Sequence, residues 1–317
     1  MAELETGQTS LQPQWPNGKR FAFTIFDDPD GQPLSVSRLV YTFVKDIGLR
    51  TTIAVWVAPP TSVTNAGGET CGNPEYLDLL RKLQAAGFEI AWHLASPHTS
   101  TREQTAAALE HFRELFGSDP KCGANHFNGE AIYLGPQRLS GWRRTLYQIF
   151  TRGQTRNRFF GEVKGHPWYW GDLCGQRIQY YRIFVFFNLN TLAACPWMPY
   201  FDPERPYVNA WFAASEGARC RTFLQALCEK NQEQLEAEEG CCILYTHFGY
   251  DFVTDGKLNP EFIRLMERLS SRNGWFVPAG TILDQLAARQ GIRILPAEIR
   301  RTMERSWLRE KLLRGTS

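Results

Sequence analysis

The chain has 317 residues, 43% of them apolar, enough to bury a full core as one large domain or two modest ones. Its 35 Lys and Arg nearly balance 33 Asp and Glu, so a formal charge of +2 makes no electrostatic case for a nucleic-acid partner. Eight scattered cysteines contain no C-x-x-C pair, which argues against a zinc ribbon or a compact disulfide framework and for free, core-packing thiols in a reducing compartment.

The first twenty residues are polar and carry acids where an export signal needs a basic start and an apolar centre, so a cytoplasmic location is expected. Strands are predicted over 21–26, 51–58, 88–92, 121–126, 208–213, 241–246 and 274–277. Helices are predicted over 35–47, 74–86, 101–116, 219–239, 260–271 and 281–289. Ser100 or Thr101 caps the third of these, with Glu103 near the capping-box position. This alternation implies a mainly parallel sheet covered by helices, either open or closed into a barrel. Residues 134–207 break the alternation with Trp, Tyr, Arg, Gly and Pro and read as an insertion over one end of the sheet, suited to a sugar platform or to an ordinary packed subdomain. The most apolar stretch, 183–201, is interrupted by Asn188, Asn190, Pro196 and Pro199 and cannot be a continuous membrane span. Residues 297–314 form a helix with Ile299, Met303 and Trp307 on one face and a basic face expected to be solvated.

In such architectures ligands gather at the C-terminal ends of the strands. The first strand ends at Asp27-Asp28, the third at His93 with His98 following, the fourth at Asn125-His126, and the 241–246 strand at His247. Adjacent carboxylates in a partly desolvated site call for a cation. One carboxylate and two imidazoles, Asp28, His93 and His98, suit a divalent ion such as zinc with a position left open, and Asp27 is then free to act as base.

With these residues in view, the chain resembles the polysaccharide deacetylase (NodB-homology, carbohydrate esterase) family. "TIFDDPDG" resembles its first motif, "FEIAWHLASPHTS" its histidine pair, and "ILYTH" its last strand and catalytic histidine; together they span about residues 21 to 284. Here four residues separate His93 from His98 where the family usually has three, two residues precede the glycine of the first motif, and "KCGANHFNGEAIYLG" stands where an Arg-Pro motif is usual. The resemblance implies a distorted (β/α) barrel of about seven units in a single catalytic domain, with core 21–290, the insertion 134–207 and the basic helix 297–314. It also implies Asp27 as general base, His247 as general acid, and Asp28, His93 and His98 as metal ligands, most simply of Zn2+.

Asn125, His126, Asn128 and Trp170 are then expected at the substrate. The implied reaction is removal of an N-acetyl (or O-acetyl) group from a sugar, a precursor in surface-polysaccharide biosynthesis. A catalytically silent glycan-binding barrel and a metal-dependent amidase with a non-sugar substrate are the alternatives. The oligomeric state is not encoded in any feature of the chain.

Overall fold

The computed structural model describes residues 15–61, 64 and 66–315; the expectation about an export signal falls largely on residues 1–14, outside them. The strands are β1 (Phe21–Asp27), β2 (Thr52–Val55), β3 (Glu89–Trp92), β4 (Cys122–Gly123), β5 (Tyr180–Phe186), β6 (Tyr200–Phe201), β7 (Ala210–Glu216), β8 (Cys241–Thr246), β9 (Val253–Thr254), β10 (Lys257–Leu258), β11 (Gly274–Phe276) and β12 (Arg293–Ile294). Seven of them, β1, β2, β3, β4, β5, β7 and β8, pair in parallel and close when β8 returns to β1. This is the distorted (β/α) barrel expected.

The distortion lies beside β1. Its last residues, Phe26 and Asp27, pair with β2, while Phe21, Ala22 and Phe23 pair with β11, which is wedged in at the opposite end. Every residue of β1, β2, β7 and β8 is buried, as expected for strands covered on both faces.

The helices are α1 (Leu34–Asp46), α2 (Pro74–Ala85), α3 (Arg102–Phe116), α4 (Trp142–Phe150), α5 (Gly171–Arg177), α6 (Thr191–Ala194), α7 (Cys220–Ala226), α8 (Glu229–Ala237), α9 (Pro260–Ser270), α10 (Ala279–Gln290) and α11 (Ala297–Arg314). Asn73 and Asn259 cap α2 and α9 just ahead of a proline at the first position, which lacks the N–H that would otherwise need a partner. Thr101 caps α3, and the reciprocal partner is Gln104 rather than Glu103. The single helix expected over 219–239 is two, because Asn231 and Gln232 turn back to donate to the carbonyls of Ala226 and Leu227 at the break.

Two further differences bear on the site. Residues 180–186, inside the stretch read as an insertion, form barrel strand β5. Its sequence, YYRIFVF, is apolar apart from Arg182 and has no alternation to mark it as a strand. The polar face of α11 is only partly solvated: Arg300, Glu304 and Lys311 are buried with Met303 and Trp307. Arg300 pairs with Asp202, and Glu304 accepts from Arg143 Nε at 2.7 Å and Arg205 Nη2 at 2.9 Å. All eight cysteines are free, and all but the half-buried Cys228 are buried. No helix among the described residues is long and apolar enough to cross a membrane.

Candidate metal centre

The strand ends do converge, and they bring together a set of residues that only partly coincides with the expected one. β1 runs into Asp28, whose N–H still donates to the Thr246 carbonyl, and the chain then turns through Pro29 and Asp30. Gly31 has φ +65°, and a Cβ there would lie 2.7 Å from the Tyr250 ring, so this turn accepts only glycine without displacement. The turn points Asp30 back over the barrel mouth. His93 follows β3, and His126 follows the neighbouring β4, held to β3 by the Ala124 N–H to the Trp92 carbonyl. The two imidazoles lie 5.4 Å apart, with the Trp56 indole edge-on to His126.

Asp30, His93 and His126 each offer a ligand atom, all within 4.8 Å of one another. Asp30 Oδ1 is 3.1 Å from His126 Nδ1, and its Oδ2 is 3.3 Å from His93 Nε2. The His93 ring is 1% exposed, yet among the described residues neither of its nitrogens has a hydrogen-bond partner, nor does Asp30 Oδ2. Buried polar atoms are almost always paired, so the orphaned His93 Nε2 and Asp30 Oδ2, 3.3 Å apart and beside His126, fit a cation held among the three residues. Protonation states agree: burial lowers the pKa of His93, favouring the neutral form a metal requires. Burial alone would raise Asp30, but the facing imidazoles of His126 and His93 outweigh it and hold the carboxyl well below its ordinary range. The buried cluster can coordinate a divalent ion, the arrangement on which a metal-dependent hydrolase is built.

The expected ligands Asp28 and His98 stand outside this cluster. Asp28 is gripped at both oxygens by Arg182 of β5, Nη1 donating to Oδ1 at 3.1 Å, and its Oδ1 is 3.7 Å from His93 Nδ1. His98 has both ring nitrogens engaged elsewhere, Nε2 with Thr61 Oγ1 at 2.9 Å and Nδ1 with Ser96 Oγ at 2.8 Å. The physical reason is local. Leu94 takes φ +64° immediately after His93, and the loop then closes on itself through Ser96 and Ser100.

Asp27, expected as the free carboxylate, is enclosed: Oδ1 accepts from the Phe248 N–H at 2.9 Å and Oδ2 from the Tyr41 hydroxyl. Burial, partly offset by those two donors, raises its pKa well above the ordinary range. His247 follows β8 at the barrel mouth. Its Nδ1 is 2.9 Å from the Ala218 carbonyl and must donate to it, which leaves Nε2, 3.1 Å from the Tyr245 hydroxyl and 3.7 Å from Asp30 Oδ2, facing the mouth.

A cavity of about 600 Å³ opens over the cluster. Of the four residues expected at substrate, Asn125 and His126 line it. Asn128 instead donates to the carbonyls of Ser96 and His98, and Trp170 Nε1 to the Glu130 carbonyl, both away from the cavity. Arg182 was not anticipated; it comes from the hidden strand β5, where the pairing register with β7 shifts between Arg182 and Phe184. Its guanidinium lies over the rings of Tyr245 and Phe26 at 4.3 and 4.9 Å.

No family model and no curated protein sequence matches the chain. Among solved structures it is similar to a PuuE allantoinase (15% identity, TM-score 0.49, 92% of this chain and 98% of that one covered). It is also similar to a probable polysaccharide deacetylase from Pseudomonas aeruginosa PAO1 (14% identity, TM-score 0.49, 92% and 99% covered). A third similarity is to a GH57-type branching enzyme from Pyrococcus horikoshii (10% identity, TM-score 0.43, 87% and 72% covered).

Proposed function

We propose that the protein is a metal-dependent hydrolase that removes an N-acetyl (or O-acetyl) group from a sugar. The observation that carries this reading is the buried His93 ring with two unpartnered nitrogens beside Asp30 and His126. Those three residues would hold the ion; zinc suits one carboxylate and two imidazoles, and when bound it supplies polarisation of the acyl oxygen and acidification of a water.

The protein's own groups do the rest. Asp28, held at the cavity wall by Arg182, keeps lone pairs beyond the two that the guanidinium occupies and takes a proton from the attacking water. The water oxygen bonds to the acyl carbon, the acyl C–N or C–O bond breaks, and His247 Nε2 delivers a proton to the departing amine or alkoxide. Asp27 is a positioning residue, fixing through the Phe248 N–H the segment that carries His247. The exposed Phe127 and half-buried Tyr250 give the cavity aromatic surface against which a sugar ring packs.

Acetate release from N-acetylated hexosamines by zinc-loaded protein tests this. Asp28→Asn and His247→Ala are expected to lose about 10²-fold or more in kcat. Undiminished turnover after chelation of metal would refute the reading.

A further inference from the structure

The cavity over the metal centre has a second wall that the proposed hydrolysis does not use. It is built from the 3-10 turn Gly135–Arg138, from α4 and from the last turns of α11. Most charges on the cavity cancel in pairs. Arg182 is taken by Asp28, Lys311 Nζ is 3.2 Å from Glu216 Oε2, and Asp30 faces the histidines. Arg219 and Arg314 lie exposed at the rim, over the rings of Tyr250 and Phe187.

Arg138 is different. Its Nε is fully enclosed and, among the described residues, has no hydrogen-bond partner and no carboxylate within ion-pair distance of its guanidinium, which lies 4.9 Å from the Trp307 ring centre. The nearby acids are committed to other arginines: Glu304 to Arg143 and Arg205, Asp202 to Arg205 and Arg300. That same network anchors the turn, because Arg205 Nη2 donates to the Arg138 carbonyl at 2.7 Å. Burial lowers the pKa of Arg138, and the nearby cations Arg182 and Arg205 push the same way. A guanidinium at a cavity wall with its Nε enclosed and no counter-charge is uncommon, since desolvated charges are normally paired. Its planar fork matches the two oxygens of a carboxylate or phosphate.

We propose that Arg138 forms an anion subsite and that the substrate of the neighbouring metal centre carries a carboxylate or phosphate group seated there. The identity of the anion as part of a substrate rests on the hydrolase reading above; the subsite itself does not. The first experiment therefore uses metal-free, chelator-treated full-length protein and follows binding of inorganic phosphate and of malonate by calorimetry. Phosphate or malonate is expected to bind, with Arg138→Gln weakening the tighter of the two by about ten- to a hundredfold, the range for a charge-assisted contact. Arg138→Lys, which keeps the charge without the fork, is expected to fall between them. Arg305→Gln, on the exposed face of α11, is expected to bind like wild type.

The tighter probe identifies the group. Equal affinity in wild type and Arg138→Gln, or no binding of either probe by folded wild type, overturns the subsite. In the second experiment, zinc-loaded protein is given an N-acetylated hexosamine and its phosphorylated and uronic-acid counterparts. An anionic preference in kcat/KM of about tenfold or more that Arg138→Gln abolishes through KM supports the assignment to substrate. Turnover with no such preference overturns that assignment. Failure of all turnover alongside Arg138-dependent phosphate or malonate binding overturns the hydrolase reading and leaves the subsite standing.

Discussion

Replacing one histidine at a time separates the ligand set seen in the structure from the one suggested by spacing. If a divalent ion binds only the native state, then at a free concentration about 100-fold above its Kd it stabilises the fold by about 2.7 kcal/mol. Unfolding entropy of about 2.1 cal/mol/K per residue, over 317 residues, converts this into a rise in Tm of about 4 °C. His126→Ala removes one of three ligand atoms gathered within 4.8 Å. Even a hundredfold loss of affinity, the upper range seen when only outer-shell partners of a metal site are removed, leaves about 0.4 kcal/mol and a shift below about 1 °C. His98→Ala breaks bonds to Thr61 and Ser96 but touches no ligand, so the protein is expected to keep the full metal-dependent shift from its own metal-free baseline. The assay is calorimetric melting of each chelated variant with and without added Zn2+. A shift that survives His126→Ala and vanishes in His98→Ala would refute the cluster described here.

Three further outcomes are expected. Arg182→Met leaves the 2%-exposed carboxylate of Asp28 without its partner and should cost about 3–5 kcal/mol of stability by denaturant titration; a cost below about 1 kcal/mol would mean that the pair is not buried as described. Gly31→Ala puts a methyl group against Tyr250 in a left-handed turn and should cost about 1–2 kcal/mol while weakening zinc binding, because the turn that aims Asp30 has to shift. Despite the raising effect of burial, hydrogen bonds from Ser140 and Arg143 and the nearby Arg205 hold the Glu304 pKa below its ordinary value. A depressed carboxylate pKa contributes stability above the unfolded value, about 4.3, and loses it as pH falls through the native one. The docking of α11, read by Trp307 fluorescence, should therefore loosen on acidification below about pH 4, and this pH dependence should be reduced in Glu304→Gln.

The legible parts of this chain were those governed by local rules. Continuous apolar runs ending at turn residues marked β1, β2, β3 and β8, and the Asn-Pro pairs at 73–74 and 259–260 marked where helices begin. His93 and His247 could be placed at the rim because a parallel barrel delivers its strand ends there. Strand β5 was hidden by the Trp-, Gly- and Pro-rich residues before it, and Arg182 was hidden with it. Asp30 was visible as a third acid, but nothing along the chain says that the turn at Gly31 folds it back over the mouth.

What the sequence determined by itself was a parallel α/β architecture and a rim bearing histidines and acids, because hydrophobic periodicity and strand-end position are properties of consecutive residues. Which of those residues meet was decided only in three dimensions. Strands paired in a parallel sheet lie about 5 Å apart. His126, three residues past the end of the strand beside β3, therefore faces His93 directly, while His98, five positions along the chain, is carried away by a loop that satisfies its ring with Thr61 and Ser96.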